Sequence, residues 1–128
     1  MKLADAAGEI SSGLLDLTRE GGPGNFMVVS CGDIYVQFAG NPGNPQILCE
    51  SISGKFLPKK LKISSAALKT KLKSLGFELG GEIETFSRSY EVITEKQAHD
   101  VAKLAVKILQ GAYGVAKDGE VHIELSLE

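Results

Sequence analysis

No tryptophan, two cysteines and two histidines occur in the 128 residues of this chain, and each scarcity closes off a class of function. Two cysteines cannot build a disulfide framework. Cys31 and Cys49 sit in apolar, strand-like runs. If Phe26–Cys31, Ile34–Phe38 and Ile47–Ile52 form a meander, the first and third strands stand two spacings apart, about 9–10 Å. That exceeds the Cα limit of about 7 Å for a bridge, so two buried free thiols are expected. His99 and His122 fall on different segments, whereas a zinc site needs several convergent ligands. No metal and no other cofactor is expected. No apolar run approaches the ~18 residues of a membrane span, so no membrane partner is expected. Met1-Lys2 is followed by Asp5 and Glu9 with no apolar stretch between them. No signal peptide is read there, and a cytoplasmic protein is the expectation.

The patterns that carry catalysis are missing as well. There is no G-x-S-x-G, and no serine has the strand–turn–helix setting of a nucleophile elbow. Gly22-x-Gly24 precedes a strand, so it cannot present helix N–H groups to a phosphate. A nucleophilic cysteine wants an electropositive, polar site. The neighbours of Cys31 and Cys49 include Val29, Ser30, Leu48 and Glu50. The chain is therefore not read as an enzyme.

What is present is the composition of one globular domain, residues 1–128, with 43% hydrophobic and 23% charged residues and a net charge of −2. The charge is unevenly spread. Seven lysines and no acid lie between Lys55 and Lys73. From Glu78 to Asp100 six acids face only Arg88 and Lys96. The Lys55–Lys73 segment opens nucleic-acid binding as an alternative function. Such binders usually interleave stacking aromatics, and only Phe56 does so here. The lysines also suit a solvated flank around the inner stripe Leu68, Leu72 and Leu75 of a helix that Gly76 ends.

Periodicity supplies the remaining elements. Leu3, Ala7, Ile10, Leu14 and Leu17 form one helical stripe, weakened by Ser11-Ser12-Gly13 and ended by Gly21-Gly22-Pro23-Gly24. Phe26–Cys31, Ile34–Ala39 and Ile47–Ile52 read as strands, the first two joined by a tight Gly32-Asp33 turn. Gly40 to Pro45 reads as a loop. Phe77–Leu79 and Phe86–Val92 read as a hairpin around Gly80-Gly81. Thr94-x-x-Gln97 is a capping box before a helix whose stripe is Ala98, Val101, Ala105, Ile108 and Ala112, with Gly114 closing it. Val121–Leu125 alternates as a final edge strand. The order is α-β-β-β-α-β-β-α-β, which implies an α+β fold: an antiparallel β-sheet with helices on one face.

Four segments fall in a telling succession: Tyr35-Val36-Gln37-Phe38-Ala39, then Ile47-Leu48-Cys49-Glu50, then Leu72 to Phe77 (LKSLGF), then Phe86 to Tyr90 (FSRSY). An apolar helix follows and closes with Gly111-Ala112-Tyr113-Gly114-Val115. Together, over about Tyr35 to Val115, they resemble the TY-Chap family, the peptide-binding chaperones that group type III secretion chaperones with YbjN-like proteins. Phe77 and Tyr90 stand where that pattern often carries tryptophan. The resemblance implies a secretion-chaperone-like fold and a non-enzymatic module that binds a client protein or peptide, commonly as a dimer. A toxin-neutralising immunity protein, equally small and free of catalytic residues, is a further alternative.

Helices on one face leave the other open. Tyr35, Gln37 and Glu50, with part of Leu48 and Ile52, are expected there, although a slip of one residue would invert the set. A partly apolar open face tends to be an interface, so a homodimer is expected. Phe86, Arg88 and Tyr90 alternate along one strand and share one side, with Val92 continuing the row. The row has two readings. Either its rings belong to the core while Arg88 reaches water near an edge, or it faces the open side. There Arg88 would pair with Glu50 in a peptide groove. Tyr35, Gln37, Glu50, Phe86, Arg88 and Tyr90 are accordingly the candidate partner-binding residues.

Overall fold

The computed structural model describes residues 1–32, 34–51, 70, 72–74, 78–80 and 85–128. Asn25–Cys31 (β1) turns through Gly32, at φ +60°, into Ile34–Asn41 (β2), with Cys31 directly opposite Ile34. β2 runs on through Gly40 and turns at Pro42-Gly43 into Asn44–Ser51 (β3). Proline followed by a glycine at φ +80° is the pairing a type II turn favours. The stretch expected as a loop is thus mostly strand. The backbone groups around it have partners that composition cannot show: Gly43 N–H donates to the Thr18 carbonyl, and the Pro45 carbonyl accepts from Val92 N–H at 2.7 Å.

Glu78–Gly80 (β4) and Thr85–Glu91 (β5) pair with each other, and β5 pairs with β3. His122–Ser126 (β6) pairs with β1. The result is one antiparallel sheet of six strands in the order β4-β5-β3-β2-β1-β6. β6 is the edge strand expected from its alternation.

Ala7–Arg19 (α1) is shorter than its apolar stripe, because Leu3–Asp5 forms a separate 3-10 turn. That turn is tied to the far end of the chain: Leu3 N–H donates to the Gly119 carbonyl and Ala4 N–H to that of Lys117. Ile10, Leu14 and Leu17 are buried as the spacing requires. Gly13 costs helix propensity but lets α1 close on the sheet, since a Cβ there would run into Met27 Sδ. Gly40 plays the same part from the sheet side, where a Cβ would meet Leu17 Cβ at 2.9 Å and the Leu17 carbonyl at 3.1 Å.

Glu95–Lys107 (α2) opens with the expected capping box: Gln97 N–H donates to Thr94 Oγ1, and Gln97 Oε1 accepts from Thr94 N–H. α2 runs into a π-helical turn over Ile108–Ala112, and Gly114 closes it at φ +75°. α1 lies across β1, β2 and β3, and α2 packs against α1. Ala98, Val101, Ala105, Ile108 and Leu109 of the α2 segment join Met27, Val29, Val36 and Phe38 in one apolar core. The helices therefore gather on one face of the sheet, as expected. Of the helix expected over Leu68–Leu75, Thr70 and residues 72–74 are helical and Leu72 is buried. The rest of that helix, and most of the Lys55–Lys73 segment, lie outside the described residues.

One buried polar residue locks α1 to the sheet. Asn25, 1% exposed, donates from Nδ2 to the Leu17 carbonyl at 3.1 Å and to the Glu20 carbonyl at 2.5 Å. Its Oδ1 accepts from Gly22 N–H and Glu128 N–H, each at 2.9 Å. Both donors and the acceptor are thus satisfied, so the amide is buried without an unmet polar group.

Candidate functional site

Strand register divides the sheet residues between two faces, because directly opposed residues point the same way. On the helix side Met27 faces Phe38, Phe38 faces Cys49, and Cys49 faces Arg88. On the other side Phe26 faces Ala39, Ala39 faces Leu48, and Leu48 faces Ser89. One step along, Glu124, Val28, Gln37 and Glu50 form the next row. No described helix packs on this second face. Leu48 is 39% exposed, and Phe26, Val28, Gln37 and Glu50 are half-buried.

The six candidate residues are split by this division. Tyr35, Gln37 and Glu50 lie on the open face, as expected. Leu48 joins them, and Ile52 lies outside the described residues. Arg88 and Tyr90 are on the helix side, opposite Cys49 and Ile47, and Phe86 pairs through its backbone with Ser51. The row containing Arg88 therefore faces the helices, as in the first of its two readings, and the second, which set Arg88 beside Glu50 in an open groove, is corrected. Glu50 pairs with Ser87, the residue before Arg88, so the two side chains leave opposite faces. Alternation had fixed which residues share a side but not which side it was.

On the helix side the row behaves as a core margin. Val92 is buried, Tyr90 is half-buried, and Arg88 is exposed. The Arg88 guanidinium lies over the face of the Tyr90 ring, 4.8 Å from its centroid. The Tyr90 hydroxyl is buried beside the Arg88 guanidinium. Burial pushes it up to about 12, against the opposing pull of the Arg88 charge. Cys49, between Arg88 and the core, is a buried free thiol whose ionisation burial pushes well upward. It is inert rather than nucleophilic. Cys31 is also free and is half-buried. Ser51, fully buried, shares a hydrogen bond with the Tyr113 hydroxyl and so ties β3 to the segment after the π turn.

Two residues of the open face escaped sequence reading, Phe26 and Val28. The signal was available: β1 is apolar at successive positions, Phe26 to Val29, where a strand with one wet face should alternate. A separate cleft of about 330 Å³ opens between Thr18, Arg19, the Gly43–Pro45 turn and Val92-Ile93. None of the six candidate residues lines it. Among the described residues no cluster of His, Cys, Asp and Glu could hold a metal ion, and no helix is long and apolar enough to cross a membrane.

An antiparallel sheet with helices on one face and a partly apolar second face defines an α+β binding scaffold. The chain belongs to the family described as T3SS (YopN, CesT) and YbjN peptide-binding chaperone 3, which it matches over residues 2–125. The match extends beyond the Tyr35–Val115 resemblance to take in α1 and β6. Comparison with curated proteins and with solved structures gave no match. Family membership supports a chaperone-like role in binding a peptide or protein client.

Proposed function

We propose that this protein is a non-enzymatic, cytoplasmic chaperone-like module that holds an extended segment of a client against the open face of its sheet. The observation that carries the reading is the apolar row Phe26–Ala39–Leu48, continuous across β1, β2 and β3 and free of any described helix. Tyr35, Gln37 and Glu50 stand beside that row, so apolar contact and hydrogen bonding are available together. Arg88 and Tyr90, across the sheet, support β5 in this reading rather than touch the client. A second copy of the chain is the rival occupant, since the expected homodimer would use the same face.

The test is binding of blocked, unstructured peptides that alternate serine with leucine, measured by fluorescence anisotropy. Leu48→Ser is expected to weaken binding about tenfold while leaving the far-UV circular dichroism and melting temperature nearly unchanged, as for a central anchor at an interface. Arg88→Ala is expected to leave affinity unchanged. Unaltered binding by Leu48→Ser, or loss on Arg88→Ala without loss of stability, would overturn the assignment of the face.

A further inference from the structure

Among the described residues the open face carries carboxylates, with His122 two residues from Glu124 as its one titratable nitrogen. Glu91 borders the apolar row at β5, Glu50 sits one step along β3 from Leu48, and Glu124 closes the next row at β6. Glu91 and Glu124 are exposed. No Lys or Arg lies on this face among the described residues.

From this arrangement we infer that the client segment is cationic at its ends and apolar in its middle, an inference that rests on the open-face reading above. β5 and β6 are separated by four strand spacings, and Glu91 and Glu124 stand one row to either side of the apolar row, so about 23 Å lies between them; an extended chain rising about 3.3 Å per residue covers about 20 Å of this in six steps, and two long side chains reach the rest. Alternate side chains of such a segment point to one side. Lysines or arginines at its two ends would then reach Glu91 and Glu124, while two inner apolar side chains lie on Leu48, Ala39 and Phe26. The same charges disfavour a second copy placed face to face, because carboxylates would oppose carboxylates.

The experiment compares a blocked Lys-Ser-Leu-Ser-Leu-Ser-Lys peptide with its Glu-Ser-Leu-Ser-Leu-Ser-Glu counterpart by fluorescence anisotropy on the full chain. The lysine peptide is expected to bind about tenfold tighter at low salt, two exposed ion pairs replacing two repulsions. That preference should shrink in 1 M salt, where screening acts within about 3 Å. It should also vanish in the Glu91→Gln/Glu124→Gln variant. Equal affinities, a preference for the glutamate peptide, or a lysine preference untouched by the double variant would overturn the inference. Leu48→Ser separates the two levels. If it weakens both peptides equally and no lysine preference exists, the open face binds clients and the charge rule is wrong. If it weakens neither, the open-face reading fails first.

Discussion

On the helix side of the sheet Met27, Val29, Val36, Phe38 and Cys49 are at most 1% exposed, while across the same strands Val28, Gln37, Leu48 and Glu50 keep contact with water. Val28 and Val29 are chemically identical neighbours with different tasks. Val29 fills a closed core, where a lost methyl leaves a cavity. Val28 lies on a surface that can rearrange or be covered. The helix side also holds the glycines that let α1 approach and the amide that ties its end, so shape is tightly specified there. The open side tolerates substitution, which leaves its residues available for recognition.

The largest effect should come from paired truncations of the two faces. Phe38→Ala is expected to cost about 3–5 kcal/mol, as for a buried ring in a close-packed core. Leu48→Ala should cost about 0.5 kcal/mol, as for a surface site. Urea denaturation of both variants measures the difference, and similar losses would erase the distinction between the faces. Asn25→Ala comes next, at about 3 kcal/mol, because it strands the carbonyls of Leu17 and Glu20 together with the N–H groups of Gly22, past the end of α1, and of Glu128, past β6. A loss below about 0.5 kcal/mol would mean that water replaces the amide and the lock is dispensable.

A smaller change is expected from Tyr113→Phe, about 1–2 kcal/mol, since it leaves the Ser51 hydroxyl buried without its partner. Ser51→Ala/Tyr113→Phe should lose less than the two single losses combined, and strict additivity would show the pair to be uncoupled. The smallest effect concerns pH. Burial holds the Cys49 thiol above its ordinary value of 9.0 in the folded state, so the unfolded chain loses that proton first. Stability is fully present below pH 9 and falls as pH rises beyond it, by about 1 kcal/mol at pH 10. Tyr90 acts with the same sign above pH 10. Replacing Cys49 by Ala should flatten the slope between pH 9 and pH 10, and an unchanged slope would place its origin elsewhere.

Much of this was legible along the chain. The Thr94–Gln97 box, the Ile10–Leu14–Leu17 stripe and the edge strand at β6 each depend on residues within a few positions of one another. The misread parts depend on distant partners. Gly40 and Pro45 belong to strands because Asn25 pairs with the one and Val92 N–H donates to the carbonyl of the other. Leu3 sits in a separate 3-10 turn whose N–H groups reach the Gly119 and Lys117 carbonyls, more than a hundred residues away. Tyr35, Gln37 and Glu50 are on the open face where alternation put them, while Arg88 and Tyr90 are on the other.

Which residues share a side follows from their order along the chain, because the period of a strand is two and that of a helix is 3.6 whatever surrounds them. The end of α2 follows likewise from Gly114, and the freedom of both thiols from the spacing of a meander whose strands succeed one another in the chain. Which side of β5 faces the helices is a matter of strand pairing. Alternation leaves a twofold choice, and the pairing of Arg88 with Cys49 settled it. Only the tertiary structure brought Glu91, Glu50 and Glu124 onto one surface, because strands far apart in the chain become neighbours when the sheet closes in the order β4-β5-β3-β2-β1-β6.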